Sequence, residues 1–360
     1  MKVHLFFSFL LLATIAQAAE NRFIAIVEVD NASVRRGSEP FLSRVSFFDL
    51  GSGRLKGRVG TVEVPYVAAT PSADTFLVAS YLSTKEGQKV TEIREYDPRL
   101  NEIVATYSHP RPMLLASAPG LESGIEVMKS GDKLLWLLTS AGAPNIPALL
   151  EAIDWKTKKV AYQYALPKGT QEAEFWPFGE DKCLLLVHSN DEYPKTRAVI
   201  LNNGTASQPV DVGLKRGEIL RQIDVAGDSA IGVTSTSGRF IQIKLERKGP
   251  TTRQAAVNLS ELRGNGNIAS QIHFSPNPQH TVICVSGDHG IESLLIIQSD
   301  SGQVEKAVQL PSPIRSLTRL GDRWYALDAS GSSIVGYDSD FKVVTTVKLM
   351  PNVVTIVPGK

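Results

Sequence analysis

Short apolar runs separated by small polar turns fill this chain, and the same arrangement returns at a nearly constant interval. A Gly-Asp or Gly-Glu-Asp turn begins at Gly131, Gly179, Gly227 and Gly321, with spacings of 48, 48 and 94 residues. Each turn joins two short apolar or alternating runs, and glycine tolerates the positive φ that a tight turn requires. The pattern predicts antiparallel β-hairpins that repeat along the chain, with almost no helical period.

The third apolar run of each unit gives a second measure of the period. Seven such runs follow one another at a mean spacing of about 48 residues, close to the length of a four-stranded propeller blade. They span residues 45–49, 93–97, 150–154, 198–202, 240–244, 294–298 and 334–338. A polar turn and a fourth run follow most of them. We therefore predict an all-β fold, a seven-bladed β-propeller of four-stranded antiparallel blades.

The first and last runs predict how the ring closes. Residues 23–29 have the character of a second strand without a first, and residues 350–357 have the character of a first strand without a partner. We expect the C-terminal strand to complete the first blade, which closes the ring and leaves no open sheet edge.

The N-terminal residues predict export. An apolar stretch over residues 5–15 precedes Ala16-Gln17-Ala18, the small-x-small pattern that signal peptidase reads. The stretch is shorter than the roughly 20 residues that a membrane span needs. We expect residues 1–18 to be a signal peptide and residues 19–360 to form a single β-propeller domain, periplasmic or secreted; a retained N-terminal anchor is the alternative.

Composition and cysteine usage limit the expected binding partners and the expected cellular setting. With 42% hydrophobic residues, 38 basic and 37 acidic residues, the chain is an ordinary globular sequence with a net charge of +1. This near-neutral net charge does not favour nucleic acid or an anionic membrane surface as a binding partner. Cys183 and Cys284 fall in the second strands of non-neighbouring repeats, so we predict two buried free thiols. So few cysteines favour a bacterial envelope setting.

Three turn sequences carry a family resemblance. Ser-Pro-Asn-Pro at 275–278 and Thr-Pro-Ser-Ala-Asp at 70–74 precede short apolar strands, and Ser-Asp-Ser-Gly at 299–302 follows a third strand. The unit resembles the bacterial YVTN-type propeller repeat, which has a Ser-Pro-Asp-Gly-like turn and an Asp-x-x-Thr-Gly-like turn in these places. The resemblance implies a propeller fold and an envelope location, and it implies no particular activity.

Candidate binding residues lie in the predicted connections at one face of the ring. The loops from the fourth strand to the next first strand share that face with the loops from the second strand to the third. Guanidinium groups beside aromatic rings there would suit a carboxylate, a phosphate or a peptide C-terminus. Alternatively, each arginine forms a structural contact with the neighbouring blade or points into solvent. The candidates are Tyr66, Arg111, Trp176, Arg221 and Arg315.

A second set of residues on the same predicted face suggests metal binding. Imidazole and carboxylate groups are ligands for a divalent cation and also serve in acid-base catalysis. The candidates are His188, Asp191, Asp288 and His289. No His-Glu-x-x-His spacing, Gly-x-Ser-x-Gly elbow or phosphate-binding glycine loop accompanies them. Solvated loop histidines are the alternative explanation.

Together these patterns favour binding over catalysis. We expect a non-catalytic exported propeller that serves as a binding or scaffold module for a protein, peptide or glycan partner in the cell envelope. We predict no cofactor, no nucleic acid partner and no transmembrane segment after signal cleavage. Two alternatives remain open: a metal-dependent propeller lactonase or hydrolase that uses a divalent metal, and a propeller subunit of an envelope redox complex.

Overall fold

The described part of the chain is built of β-strands. The computed structural model of the protein describes residues 23–29, 42–62, 66–70, 75–83, 89–109, 127–139, 148–168, 170–189, 195–215, 218, 220–234, 238–246, 249–257, 268–275, 277, 279–349 and 353–358. Every regular element in these ranges is a strand. None of them contains a helix long and apolar enough to cross a membrane. The signal-peptide prediction for residues 1–18 lies outside these ranges.

The strands of the first half of the chain are β1 (Phe23–Val29), β2 (Leu42–Asp49), β3 (Arg54–Val62), β4 (Tyr66–Ala69), β5 (Phe76–Ser83), β6 (Lys89–Asp97), β7 (Glu102–His109), β8 (Val127–Ser130), β9 (Leu134–Thr139), β10 (Leu149–Asp154), β11 (Lys159–Ala165), β12 (Thr170–Phe178), β13 (Lys182–Ser189) and β14 (Lys195–Asn202). Those of the second half are β15 (Thr205–Ala206), β16 (Val210–Asp211), β17 (Leu220–Ala226), β18 (Ser229–Thr234), β19 (Arg239–Glu246), β20 (Gly249–Ala256), β21 (Ile268–Phe274), β22 (His280–Gly287), β23 (Gly290–Gln298), β24 (Val304–Leu320), β25 (Arg323–Asp328), β26 (Ser333–Tyr337), β27 (Val343–Lys348) and β28 (Val353–Pro358).

These strands pair antiparallel in successive sheets. Sheet 1 has the order β28-β1-β2-β3, sheet 2 holds β4 to β7, sheet 3 holds β8 to β11, and sheet 5 holds β17 to β20. Sheet 4 places β15 and β16 beside β14, after β12 and β13. Three of these sheets are runs of four consecutive strands, and sheet 1 has four strands with β28 at its edge, which fits an all-β propeller.

Sheet 6 is longer because one strand belongs to two hairpins. β24 has 17 residues; its first part pairs with β23, and its second part, from Ile314 onward, pairs with β25. Sheet 6 therefore has two halves of four strands each. The first half is β21 to β23 with the start of β24, and the second half is the end of β24 with β25 to β27.

The predicted pairing of the C-terminal segment with the first strand is present. β28 runs antiparallel to β1, with Ile24 opposite Pro358 and Ile26 opposite Ile356. β1 thereby has a partner on each side, since β2 occupies its other edge.

The glycine of each recurring turn has the backbone conformation that the sequence predicts. Gly131, Gly179, Gly227 and Gly321 have φ values of 56°, 63°, 55° and 63°. A Cβ atom at any of the four would meet no atom within 4 Å, so these positions need glycine for its left-handed backbone and not for space.

Apolar clusters lie between successive sheets. Phe47 of sheet 1 packs with Phe76 of sheet 2, and the same kind of cluster joins each sheet, or half of sheet 6, to the next. A seventh cluster brings Leu320 and Leu327 of sheet 6 against Ile24 and Ile26 of sheet 1. The sheets therefore stack face to face, and the last one contacts the first.

The prediction of two buried free thiols is confirmed. Cys183 on β13 and Cys284 on β22 are both buried and unpaired with each other. Burial raises the pKa of the Cys284 thiol, so this cysteine is an inert core residue.

Candidate functional site

β12, β17, β21 and the second part of β24 each carry a β-bulge at the same place in their pairing with the next strand. The register shifts by one residue between Thr170 and Glu172, between Arg221 and Ile223, between Ala269 and Gln271, and between Ile314 and Ser316. A bulge adds an unpaired residue and redirects its side chain. The extra residues of the last two bulges are Ser270 and Arg315.

A pocket of about 290 Å³ lies between these last two bulges, at the rim of sheet 6. We call it the rim pocket. It is lined by Ser270, Gln271, Ser286, His289, Gly290, Ile291, Arg315 and Ala329. These residues come from β21, from the end of β22, the start of β23 and the turn between them, from the bulge of β24 and from the connection after β25. The rim pocket therefore lies where the two halves of sheet 6 meet.

Gly290 brings His289 close to the bulge of β24. Its φ of 121° is a glycine conformation, and a Cβ atom there would lie 2.7 Å from the Ile314 carbonyl oxygen. No other residue fits so close to that backbone. The tight β22–β23 turn thus holds the exposed His289 beside Arg315.

The Arg315 guanidinium is exposed, and Nη2 donates to the Ala329 carbonyl oxygen at 3.1 Å. The loop that carries Ala329 is ordered by Asp328. Burial raises the pKa of this carboxyl, but hydrogen bonds from the Ser330, Ser332 and Ser333 hydroxyls and from the Ser333 backbone lower it more, to about 2. Asp328 is therefore ionised and engaged by its own loop.

Hydroxyl and amide groups line the opposite wall. Ser286 Oγ donates to Ser270 Oγ at 2.9 Å, and Ser270 Oγ donates to the Cys284 carbonyl oxygen at 3.3 Å. Gln271 Oε1 accepts a hydrogen bond from the Leu317 backbone N at 2.9 Å, which ties β21 to β24. The two serines form a short chain of hydroxyls that point along one direction.

The rim pocket can bind a small polar or anionic group. A guanidinium presents paired donors to a planar carboxylate, and the His289 imidazole adds a further donor. The Ser270 and Ser286 hydroxyl protons are already donated within the wall, so these hydroxyls offer acceptor lone pairs. Ligand pockets usually measure about 300 to 1,000 Å³, so this volume suits one side chain or a chain terminus and not a large cofactor.

Two sequence-predicted residues meet in the rim pocket, one from each candidate set. Arg315 comes from the binding set and His289 from the metal set. Asp288 is exposed next to His289. The prediction that fourth-to-first and second-to-third connections share one face therefore agrees with the position of these residues.

Tyr66 and Trp176 lie elsewhere. Tyr66 is the half-buried first residue of β4 and packs against the cluster between sheets 2 and 3. Trp176 was predicted in a connection, and this placement is wrong. It lies inside β12 opposite Leu184, near the Gly179 turn, and packs against the cluster between sheets 4 and 5. The reason is that the polar residues from 171 to 174 belong to the strand, which begins earlier because it contains a bulge.

Arg221 does not repeat the position of Arg315. Arg221 lies in β17 opposite Val233 and precedes the bulge residue, so it matches Ile314 in register. Arg111 lies outside the described residues. A ring of three equivalent arginines stays a prediction for the residues concerned.

The four candidate metal ligands are not gathered at one point as far as the described ranges show. His188 Nδ1 lies 2.9 Å from Thr196 Oγ1 within sheet 4, whereas Asp288 and His289 are in sheet 6. Asp191 is outside the described residues. Among those described, no three His, Cys, Asp or Glu side chains form a metal-binding group.

A buried polar network between sheets 2 and 3 escaped sequence analysis. Glu95 accepts hydrogen bonds from Lys129 Nζ at 3.0 and 3.2 Å, from Trp155 Nε1 at 2.6 Å and from Thr75 Oγ1 at 2.8 Å. The side chains of Glu95 and Lys129 are 9% and 4% exposed. Every partner is distant in sequence, so no local motif reveals this network.

A second buried pair joins the same two sheets. His109 Nε2 lies 3.1 Å from Glu151 Oε2, and Gln163 donates to Glu151 Oε1 at 2.6 Å. Burial raises the pKa of Glu151, and the hydrogen bonds from His109 and Gln163 lower it more, so its pKa lies below the usual value. His109 is the last residue of β7 and is buried.

His273 lies between the two halves of sheet 6. Its ring stands edge-on to Trp324, with centroids 5.9 Å apart, and its Nε2 atom is buried without a hydrogen-bond partner. Burial lowers the pKa of His273, an effect that Asp224 opposes and Arg319 reinforces.

The fold is similar to several solved structures. A protein of unknown function from Desulfotomaculum acetoxidans is 14% identical with a TM-score of 0.58, over 94% of this chain and 99% of that one. A Bacteroides uniformis protein that carries the provisional name 6-phosphogluconolactonase is 12% identical with a TM-score of 0.58, over 94% and 99%. Apo AztD from Citrobacter koseri is 12% identical with a TM-score of 0.51, over 94% and 98%.

These likenesses show the fold alone, and they fit an all-β propeller. No protein-family model matches the chain, and no curated protein matches it. The resemblance to the YVTN-type repeat therefore has support at the level of a propeller-like fold and not for that family in particular.

Proposed function

We propose that this protein is an exported seven-bladed β-propeller of the cell envelope that binds a carboxylate-bearing segment of a protein or peptide partner in the rim pocket. The seven-membered ring is supported by the seven apolar clusters and by the antiparallel pairing of β28 with β1. Export is supported by the apolar N-terminal sequence followed by Ala16-Gln17-Ala18.

One observation carries the binding proposal: the rim pocket places Arg315 and His289 opposite two hydroxyl groups. The volume admits a carboxylate with one residue attached, and the Arg315 guanidinium and the His289 imidazole supply donors for it. Rigid strands on both sides present these groups, which is how propellers commonly offer binding sites on their loop faces.

The test is calorimetric titration with a pair of short peptides that differ only at the C-terminus. A peptide with a free carboxylate is expected to bind, and its C-terminal amide is not. Arg315→Ala should weaken binding of the first peptide about tenfold or more, because a hydrogen bond to a charged group contributes roughly 1.5 to 3 kcal/mol. Arg315→Lys should restore only part, since lysine lacks the paired donors.

Arg323→Ala is the matched control, because Arg323 is also exposed but begins β25, away from the pocket. Equal binding of both peptides, or equal losses in the Arg315 and Arg323 variants, would overturn the proposal. Crosslinking in the native host, followed by identification of the captured protein, then tests whether the wild-type partner is lost in Arg315→Ala.

A further inference from the structure

The exposed apolar side chains of this protein are not scattered. Among the described residues, the large apolar side chains that are exposed all lie at or near a connection from a third strand to a fourth. They are Leu55, Leu100, Ile103, Val104, Val160, Val343 and Val344. Leu100, at 62% exposed, is the most prominent. Single exposed apolar residues are common, but a shared location on successive sheets is not.

Three of these connections form one continuous surface. Gly57 of sheet 1 packs so closely on sheet 2 that a Cβ atom would lie 1.8 Å from the Tyr96 hydroxyl oxygen and 2.1 Å from Asn101 Oδ1. Trp155 of sheet 3 donates to Glu95, the neighbour of Tyr96. The contacts therefore join residues 54–58, 99–104 and 155–160, which we name the apolar–basic patch. These contacts join sheets 1, 2 and 3 directly, so the patch is continuous whether or not the sheets close into a seven-membered ring and whether or not the rim pocket binds a ligand.

The apolar–basic patch is positively charged although the chain as a whole is nearly neutral. Its three ranges contain seven basic residues and one acidic residue, Glu102, for a net charge of +6. The aspartates Asp49, Asp97 and Asp154 precede the ranges and accept hydrogen bonds from the turn backbone. Counting them still leaves a net charge of +3.

The matching connections of other sheets differ. Residues 203–206, between β14 and β15, contain no charged side chain and no large apolar one. Residues 299–306, between β23 and the start of β24, contain Asp300, Glu305 and Lys306. Residues 338–344, at the connection between β26 and β27, carry the exposed Val343 and Val344 but have two aspartates against Lys342. Among the connections compared, aliphatic tips with a net positive charge therefore occur in sheets 1 to 3.

We propose that the apolar–basic patch docks this protein on an anionic lipid bilayer. Leu100, Ile103 and Val104 would enter the boundary between headgroups and acyl chains, while Lys156 and Lys159 on one side and Arg54 on the other contact anionic headgroups. The patch consists of projecting turns, which suits a deformable planar surface. A protein partner would need cavities shaped for each tip.

The orientation that follows is compatible with partner binding. In an antiparallel sheet the second-to-third and third-to-fourth connections lie at opposite ends of the third strand. The rim pocket includes the former and the apolar–basic patch the latter. A molecule docked through the patch therefore presents the rim pocket away from the bilayer.

The experiment is co-sedimentation of the mature chain with vesicles of phosphatidylcholine alone and of an equimolar mixture of phosphatidylcholine and phosphatidylglycerol. The protein is expected to sediment with the mixed vesicles only, and less so at high salt, where charges are screened. Leu100→Asp, and separately Lys156→Glu with Lys159→Glu, should each lower vesicle affinity about tenfold or more. Because these side chains are exposed, the variants should keep the melting temperature of the wild type.

Lys306→Glu is the matched control, since it reverses one exposed charge at the corresponding connection of sheet 6. Failure of the wild type to bind the mixed vesicles overturns the proposal, and so does an equal loss in Lys306→Glu. Gel filtration of the same samples identifies another occupant: a dimer that Leu100→Asp converts to a monomer, without vesicle binding, makes the patch a contact between copies.

Discussion

The interface between sheets 2 and 3 and the interface between the two halves of sheet 6 both bury polar side chains. These buried groups differ in how many hydrogen bonds they form. In the first, both Glu95 oxygens accept hydrogen bonds from Lys129 and from other buried donors. In the second, His273 Nε2 and Tyr337 Oη are buried without a partner. An unpartnered buried polar group costs about 1 to 3 kcal/mol. Unpartnered atoms are not confined to sheet 6, because Thr91 Oγ1 of sheet 2 is also buried without a hydrogen-bond partner; the contrast is between the fully paired Glu95 carboxylate and the unpartnered His273 nitrogen.

Removal of residues 350–360 tests whether the two interfaces depend on the same closure. Loss of β28 strips one edge of β1 and exposes the cluster around Ile24 and Leu327. We expect the cooperative thermal transition, followed by circular dichroism, to be lost or lowered by tens of degrees. Removal of residues 359–360 alone is the control, because β28 then stays intact. A long truncation that melts like the intact protein contradicts the prediction.

Lys129→Met tests the hydrogen-bonded Glu95 network between sheets 2 and 3. It leaves the buried Glu95 carboxylate without its counter-ion, and breaking a buried pair typically costs about 3 to 5 kcal/mol. Urea denaturation should show this loss of unfolding free energy, with the exposed Lys133→Met as control. A combined Glu95→Gln and Lys129→Met variant should recover part of it. Equal stabilities of the two lysine variants would show that the pair contributes little.

Glu151→Gln tests the acid sensitivity of the same interface. The folded-state pKa of Glu151 is lowered, so below about 4.5 the unfolded chain binds the proton more readily, and the stabilisation present at neutral pH is lost. The wild type should lose on the order of 1 kcal/mol more than the variant between neutral pH and about pH 3.5. Urea denaturation at both pH values measures this difference, with the exposed Glu180→Gln as control. Parallel losses in wild type and Glu151→Gln contradict it.

His273→Phe tests the buried imidazole between the two halves of sheet 6. Phenylalanine keeps a ring against Trp324 and removes the unpartnered Nε2, but it also removes the hydrogen bond between the imidazole and the Leu317 backbone. The two effects oppose each other, so the unfolding free energy at pH 8 should change by less than about 1 kcal/mol. Because burial lowers the pKa of His273, wild-type stability should decline as pH falls through about 6.5, where the unfolded imidazole takes up a proton. The variant should lack that part of the decline, and His280→Phe serves as control. A loss of several kcal/mol at pH 8 would mean that Nε2 has a partner, such as a bound water.

Arg315→Ala should have the smallest effect on stability. The side chain is exposed and donates to the Ala329 carbonyl oxygen, so the unfolding free energy should change by about 0.5 kcal/mol or less in urea denaturation. A loss above about 2 kcal/mol would make Arg315 a strut between the halves of sheet 6 and would separate a structural role from the binding role.

Local signals predicted most of the fold and little of the site. The turn glycines fix positive φ by themselves, so the hairpins follow from residues such as Gly131 and Gly227 without tertiary information. The bulges depend on the register between two strands, and this is why the sequence placed Trp176 in a connection. The Glu95 network and the His109–Glu151 pair join residues far apart in the chain, so their chemistry has no local signature. Arg315 was identified for its charge, while Ser270 and Ser286 had no distinguishing feature.

The pairing of β28 with β1 has a mechanical consequence. The strands are antiparallel, with Ile24 opposite Pro358, so the first residues of β1 and the last of β28 lie at the same end of the sheet. A pull applied between these two points loads the hydrogen bonds one after another, as in a zipper, and not all at once as in shear. A tether at one point leaves this seam unloaded, whereas tension between both opens it by peeling at low force.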